Sequence, residues 1–150
     1  MDDEILRAKK KAMYLLERND RTEWELNDKL VQNGFSQEAI AEAVAYVKSY
    51  HYIDDKRYAV KFVETFCDRR SIRRIRQDLY KRHVPEEYIN LAIENIDGDD
   101  SVALDREAEK LLRGVDDLSA ITYDEKQKLA AKLYRKGFRM GDIIRRLDMN

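Results

Sequence analysis

One pattern of apolar residues occurs three times along the chain and constrains its fold more than any other feature. In each copy two apolar residues stand four positions apart, and two more follow at intervals of five. The copies are Leu26, Leu30, Phe35 and Ile40; Ile75, Leu79, Val84 and Ile89; and Leu129, Leu133, Phe138 and Ile143, extended by Val44, Ile93 and Leu147. Such internal similarity is typical of tandem copies of one supersecondary unit.

The turn inside each copy is more discriminating than the apolar spacing, which any amphipathic helix shows. Gly34 precedes Phe35 and Gly137 precedes Phe138, so glycine stands where a helix exit favours a left-handed residue. In the middle copy His83 takes this position, at a cost of about 1 kcal/mol relative to glycine. The pattern therefore predicts a helix, a turn and a second helix in every copy.

Helix-start signals and a leading helix complete the repeated unit. The start signals are two capping boxes, two serine caps and a proline suited to the first helical position. They are formed by Thr22 with Glu25, Thr122 with Glu125, Ser36, Ser71 and Pro85. A leading helix is predicted before each pair from one further spacing. Its copies are Ala8, Ala12 and Leu15; Ala59, Val63 and Phe66; and Ala108, Leu112 and Val115.

The sequence therefore predicts an all-α fold of three tandem three-helix modules packed into an elongated, curved array. The modules are expected at residues 4–50, 54–96 and 101–148, with Asp97-Gly98-Asp99-Asp100 as a linker. Five glycines and one proline leave little material for a glycine-rich phosphate loop or for the turns of an all-β fold.

Basic residues are concentrated in two stretches, although the formal net charge is only -1. The stretch from Arg69 to Arg82 has seven basic residues and one acidic residue, Asp78. On a helix, Arg73, Gln77 and Lys81 would share the stripe opposite the apolar face, with Arg74 beside them. The second stretch runs from Lys132 to Arg146.

These stretches supply the candidate interface, because so little acid compensates their charge. Its predicted members are Arg69, Arg70, Arg73, Arg74, Gln77, Lys81, Lys132, Arg135, Lys136 and Arg139. Guanidinium and ammonium groups bind DNA phosphate and acidic protein alike. The residues alone therefore leave both kinds of partner open. The acidic stretch from Asp97 to Glu109 is interpreted as a linker and helix cap.

Catalytic and metal chemistry is not indicated by the residues. Asp54 and Asp55 are interpreted as a helix cap with a favourable dipole placement. His51, His83 and Cys67 lack zinc-ligand spacing, and Cys67 is interpreted as a packing residue. We expect no metal, no cofactor and no enzymatic activity.

The single cysteine and the absence of an apolar leader favour a reducing cytoplasmic location. No apolar run approaches the length that spans a membrane. The tyrosines within helical segments are expected in the core or between modules, and none is assigned to base stacking. They are Tyr46, Tyr50, Tyr58, Tyr80, Tyr88 and Tyr134.

Three segments resemble the RecX family over nearly the whole chain. The most specific is Tyr52-Ile53-Asp54-Asp55-Lys56-Arg57-Tyr58-Ala59, which resembles the family's segment of an aromatic, an aliphatic, two aspartates, an arginine, an aromatic and an alanine. Ser71 to Leu79 resembles its basic segment, and Arg135-Lys136-Gly137-Phe138 resembles its C-terminal turn. His51 and His83 depart from the family, since glycine is common at both positions.

The resemblance implies tandem three-helix repeats and a role in regulating homologous recombination and DNA repair, including the SOS response. A protein of this family would lodge in the helical groove of the RecA filament on DNA, contact successive RecA subunits, and suppress ATP hydrolysis and strand exchange. The alternative is a sequence-nonspecific DNA-binding module that acts without RecA. A monomer is expected, because no long heptad pattern calls for a coiled-coil partner.

Overall fold

Helices account for all the regular secondary structure in the described part of the chain. The computed structural model describes residues 2–96 and 99–149, and these contain nine α-helices, one short 3-10 helix at Leu118–Ala120 and no β-strand. The α-helices are α1 (Asp2–Arg18), α2 (Glu23–Gln32), α3 (Gln37–Ser49), α4 (Asp55–Phe66), α5 (Ile72–Lys81), α6 (Glu86–Glu94), α7 (Ser101–Leu111), α8 (Tyr123–Arg135) and α9 (Met140–Leu147). The predicted all-α class is confirmed. None of the described helices is long and apolar enough to cross a membrane.

The repeated apolar positions lie on the buried faces of these helices. All are buried except Phe35 and Leu129, which are half-buried. The turn between the last two helices of each copy is closed by the same backbone hydrogen bond. The amides of Phe35, Val84 and Phe138 donate to the carbonyls of Leu30, Leu79 and Leu133, at 3.3, 3.2 and 3.3 Å. The interval of five residues between these positions is therefore the span of one closed helix end.

A left-handed residue makes each of these turns possible. Gly34, His83 and Gly137 have φ of 85°, 58° and 100°, as the sequence predicts. The imidazole of His83 stacks on the Trp24 indole, with ring centroids 4.1 Å apart and planes 20° from parallel. This contact adds packing that a glycine would lack, and it opposes the backbone cost of a left-handed histidine.

Contacts between Cα atoms divide the chain into two compact units. Unit 1 comprises Met1–Lys61 and Leu79–Asn90, and unit 2 comprises Phe62–Asp78 and Leu91–Asn150. Helices α4, α5 and α6 each contribute residues to both units. The three predicted module boundaries remain a prediction.

Each unit has an aliphatic core of its own. In unit 1, helices α1, α2 and α3 enclose a core of small and branched side chains. Its fully buried members include Ala8, Ala12, Leu26, Leu30, Ala43 and Val47. In unit 2, helices α7, α8 and α9 enclose a second core. Its fully buried members include Ala103, Ala108, Leu133, Ile143 and Leu147.

Several helix starts are capped by a carboxylate from a distant part of the sequence. The Glu4 carboxylate accepts hydrogen bonds from the Ser36 amide and hydroxyl, at 3.0 and 2.8 Å. Asp55 accepts from the amide of Glu23 at 2.9 Å, and Asp100 accepts from the amide of Ile72 at 3.1 Å. Each carboxylate satisfies amides that have no partner within their own helix. The hydrogen bonds from Ser36 lower the pKa of Glu4, whereas burial raises the pKa of Asp55.

The local caps predicted from sequence are also present. Ser36 and Ser71 accept from the amides three residues later. Asp54 accepts from the amide of Arg57 at 3.1 Å, in accord with its interpretation as a cap. Pro85 stands one residue before α6 and not inside its first turn, so its predicted place is wrong by one position.

Two further predictions are wrong. Helix α7 ends at Leu111, so Val115 lies beyond it and is 38% exposed, because Gly114 with φ of 89° turns the chain away first. The expectation for the helical tyrosines is wrong for Tyr50, Tyr80 and Tyr134, which are exposed; Tyr46, Tyr58 and Tyr88 are half-buried, and Tyr46 packs against the core of unit 1. Asp97 and Gly98 of the predicted linker lie outside the described residues.

The two threonine caps provide a test of these contacts. Thr22 forms the complete capping box with Glu25, is fully buried, and donates from Oγ1 to the Arg82 carbonyl at 2.9 Å. Thr122 accepts from the Glu125 amide at 3.2 Å, which is only one of the two bonds of its predicted capping box, and it is exposed. Thr22→Ala should lower the free energy of unfolding by about 2 kcal/mol and Thr122→Ala by about 1 kcal/mol, measured by urea titration with far-UV circular dichroism. Equal losses would show that the Thr22–Arg82 bond adds no stability.

A candidate interaction groove

The start of α5 is held in place by two other elements of unit 2. Ser71 caps α5 by accepting from the Arg74 amide at 3.1 Å, and its hydroxyl donates to the carbonyl of Lys136 at 2.8 Å. The cap that Asp100 provides to Ile72 ties the same turn to the start of α7. The basic N-terminal half of α5 is thereby fixed beside the turn between α8 and α9.

Gly137 allows this close approach. A Cβ atom at Gly137 would collide with Ser71 Oγ and would lie 3.4 Å from the Cβ of Arg73. The positive φ of Gly137 is also unfavourable for any side chain. This position therefore requires glycine for two reasons: the turn needs a positive φ, and the contact with Ser71 leaves no room for a Cβ atom.

A groove of about 630 Å³ lies along this junction. Its charged lining consists of three arginines and three aspartates: Arg73, Arg76, Arg139, Asp99, Asp100 and Asp142. Its remaining lining is largely apolar or aromatic: Ile72, Tyr134, Gly137, Phe138 and Met140. Tyr134 is 50% exposed and Met140 is 40% exposed, so both present apolar surface to a partner. The groove suits a surface that carries charges of both signs and an apolar group.

The structure brings the two predicted basic stretches together at this groove. Arg73 comes from the first stretch and Arg139 from the second, and both side chains are exposed in the lining. Five other predicted residues are exposed without lining the groove: Arg69, Gln77, Lys81, Lys132 and Arg135.

Three of the predicted interface residues are engaged within unit 2. Arg70 and Arg74 bind the two oxygens of Asp78, at 2.7 and 3.1 Å, and Asp78 is only 6% exposed. The Arg70 guanidinium also lies 3.8 Å from the centroid of the Phe66 ring. Lys136 pairs with the buried carboxylate of Glu107. These three cations stabilise buried carboxylates, so only part of the predicted basic face is available to a partner.

Glu107 takes its charge state from this pairing. Burial acts to raise its pKa, but the hydrogen bonds and charges of Lys136 and Lys110 outweigh burial, and the pKa of Glu107 lies below its ordinary value. Glu107 therefore stays ionised and keeps the exposed Lys136 side chain paired with it.

A basic surface on α7 escaped the sequence analysis. Arg106, Lys110 and Arg113 line a pocket of about 460 Å³ together with Arg69 and Glu109. Asp68 binds both Arg106 and Arg69, at 3.2 and 3.8 Å. Arg106 and Lys110 lie in α7, and Arg113 lies two residues beyond its end. The intervals of four and three residues between these cations are the signal in the sequence, but the acidic residues around them mask the local positive charge.

Metal chemistry has no visible site in the described residues. Within 2–96 and 99–149, no three His, Cys, Asp or Glu side chains come together as a set that could hold a metal ion. Cys67 is half-buried, and its thiol lies 3.7 Å from the Glu64 carbonyl.

The described helices define an all-helical protein, and comparison with known proteins identifies its family as one built from three-helix domains. Residues 8–46 match the profile of the first three-helix domain of RecX, and residues 54–93 match that of the second. The Regulatory protein RecX of Caldanaerobacter subterraneus subsp. tengcongensis is 38% identical over 147 residues, which cover 97% of this chain and 72% of the relative. The Regulatory protein RecX of Clostridium perfringens strain SM101 is 29% identical over 156 residues, covering 99% and 72%.

Solved structures agree with this assignment. The crystal structure of RecX from Lactobacillus salivarius superposes with a TM-score of 0.80 at 25% identity and covers all of both chains. A second crystal structure, of a regulatory protein RecX, gives a TM-score of 0.82 at 21% identity, covers 99% of this chain and 75% of the other, and supports the fold alone. The chain belongs to the RecX family, as the sequence resemblance predicts.

The close contact between Gly137 and Ser71 at the groove can be tested by substituting the glycine. Gly137→Ala should lower the free energy of unfolding by about 2–3 kcal/mol, because it adds a steric clash to backbone strain. Gly114→Ala is the matched control in the same unit, since Gly114 has φ of 89° and open space around the added methyl group. It should cost about 1 kcal/mol. Equal losses in urea titrations would contradict the close contact between Gly137 and Ser71.

Proposed function

We propose that this chain regulates the RecA recombinase by binding RecA filaments on DNA and lowering their ATP hydrolysis and strand exchange. It acts by occupying a binding surface, without a reaction of its own. The observation that carries the proposal is its membership of a family of regulatory proteins, with 38% identity over 97% of the chain. Such a partner would place the protein in the cytoplasm, where we expect it to act as a monomer.

The groove in unit 2 supports a protein partner as the direct contact. A surface that binds only DNA phosphate presents cations with little acid among them. Here three aspartates and three arginines line the groove together with Tyr134 and Met140. Aromatic residues, methionine and arginine are enriched where proteins meet one another. A RecA surface with charges of both signs fits this lining better than a nucleic acid backbone does.

Within the groove, Arg73 and Arg139 are the residues we assign to binding. Both are exposed; Arg73 lies in α5, and Arg139 immediately precedes α9. Arg69, Gln77, Lys81, Lys132 and Arg135 are exposed beyond the groove and would add electrostatic attraction toward the filament. We assign Arg70, Arg74 and Lys136 to stability, because each is bonded to a buried carboxylate.

The proposal is tested by measuring RecA-catalysed ATP hydrolysis on single-stranded DNA as this protein is added. The wild type should inhibit, and the double variant Arg73→Glu/Arg139→Glu should need about tenfold or more protein for half-inhibition. The matched control is Arg113→Glu/Lys128→Glu, which changes the net charge equally at exposed residues of unit 2 outside the groove. It should inhibit nearly as well as the wild type.

Two outcomes would contradict this assignment. Equal weakening in the groove variant and the control would mean that overall charge, and not the groove, drives binding. A wild-type protein without effect on RecA would remove the proposed function itself. Arg74→Glu is unsuitable for this test because it would also break the pairing with buried Asp78.

The alternative, a DNA-binding module that acts without RecA, rests on the basic excess of α5. It predicts phosphate-driven binding that weakens by orders of magnitude between low and moderate salt. Inhibition of RecA that persists at moderate salt, where the binding of the protein to bare DNA has been lost, would exclude this alternative as the basis of regulation.

A further inference from the structure

Three tyrosines at the end of α3 form a surface that the proposed regulation does not use. Tyr46 and Tyr50 lie one helical turn apart with ring centroids separated by 5.0 Å, and Tyr52 follows at 5.7 Å from Tyr50. The planes of Tyr50 and Tyr52 are only 17° from parallel. Tyr50 is 58% exposed and Tyr52 is 46% exposed. We name these three residues the tyrosine ladder.

The backbone builds this ladder in advance of any ligand. His51 adopts φ of 59°, and the Tyr52 amide donates to the Val47 carbonyl at 2.9 Å. This is the same helix-ending turn that sends Phe35, Val84 and Phe138 into the core. At the end of α3 the residue in that position is Tyr52, which instead lies on the surface against Tyr50. An Arg57 guanidinium nitrogen donates to the His51 carbonyl at 3.0 Å and holds the turn.

Cations stand at both ends of the ladder. The Lys9 ammonium lies 4.9 Å from the centroid of the Tyr46 ring, and Arg57 reaches the turn between Tyr50 and Tyr52. Exposed aromatic rings flanked by cations are the combination with which proteins bind single-stranded nucleic acid, since bases stack on the rings and phosphates meet the charges. The core of unit 1 is built from aliphatic side chains of α1, α2 and α3, so exposed rings at Tyr50 and Tyr52 are not needed to complete it.

We propose that the tyrosine ladder binds unpaired bases of single-stranded nucleic acid, with Tyr52 offering its outer face to a base. A proline-rich peptide is the competing occupant, but such peptides dock in grooves between aromatic side chains. The rings of Tyr50 and Tyr52 are instead nearly parallel, with centroids 5.7 Å apart, and such a pair presents a flat outer face that matches a flat base. The inference goes beyond the proposed function, because it needs no recombinase.

The test is fluorescence anisotropy with the purified full chain, using labelled oligo-dT and an abasic oligonucleotide of the same length and charge. The wild type should bind oligo-dT about tenfold more tightly than the abasic strand, since stacking requires bases. Tyr50→Leu/Tyr52→Leu should lose this difference while retaining its binding to the abasic strand. Tyr50→Phe/Tyr52→Phe keeps the rings and should bind as the wild type does.

The matched control is Tyr80→Leu/Tyr123→Leu, which removes two exposed tyrosines from other helices and should leave binding unchanged. Equal wild-type affinity for both strands would overturn the proposal, as would full oligo-dT affinity in the leucine variant. Binding of a proline-rich peptide that requires Tyr50 and Tyr52, with no preference for bases, would assign the ladder to a peptide instead. If the leucine variant fails to fold, the comparison of the two strands on wild type and the phenylalanine variant still decides the question. Because the assay contains no RecA, its failure leaves the proposed regulation untouched.

Discussion

The hydrogen bond that closes the turn after the second helix of each repeat is the constraint on which the rest of the structure depends. It joins Phe35 to Leu30, Val84 to Leu79 and Phe138 to Leu133, and it requires a left-handed residue between the two partners. It sets the direction of the next helix and carries an apolar side chain back onto the helix that has just ended. In the third copy, the same turn also carries Gly137 against Ser71, which positions the groove.

Asp78 divides the arginines in and just before α5 into two groups. Asp78 is buried and accepts from Arg70 and Arg74, so these two guanidinium groups stabilise unit 2. Arg73 is turned away from Asp78 and lines the groove. A count of charges along the chain treats all three arginines alike, whereas packing decides which of them a partner can reach.

The sequence predicted the features that depend on neighbouring residues. The all-α class, the buried apolar positions, the left-handed residues and the caps at Thr22, Ser36 and Ser71 all follow from spacings of a few positions. The contacts it missed join distant residues. The partners in these contacts are 32, 32 and 28 positions apart: Glu4 with Ser36, Asp55 with Glu23, and Asp100 with Ile72. No pattern of neighbouring residues predicts such pairs. The expectation for Tyr50, Tyr80 and Tyr134 fails for a related reason, since helical spacing does not show which helical positions the aliphatic core leaves exposed.

These carboxylate caps tie the beginning of one helix to the body of another. In an isolated helix the first amides are bound only by water, and the terminal turn opens and closes readily. Here the first turns of α2, α3 and α5 each depend on an aspartate or glutamate that a different helix holds in place. Fraying at any of these ends would also release a contact of the helix that provides the carboxylate. For these short helices of 10 to 13 residues, opening of the first turn is thereby coupled to the element that provides the cap.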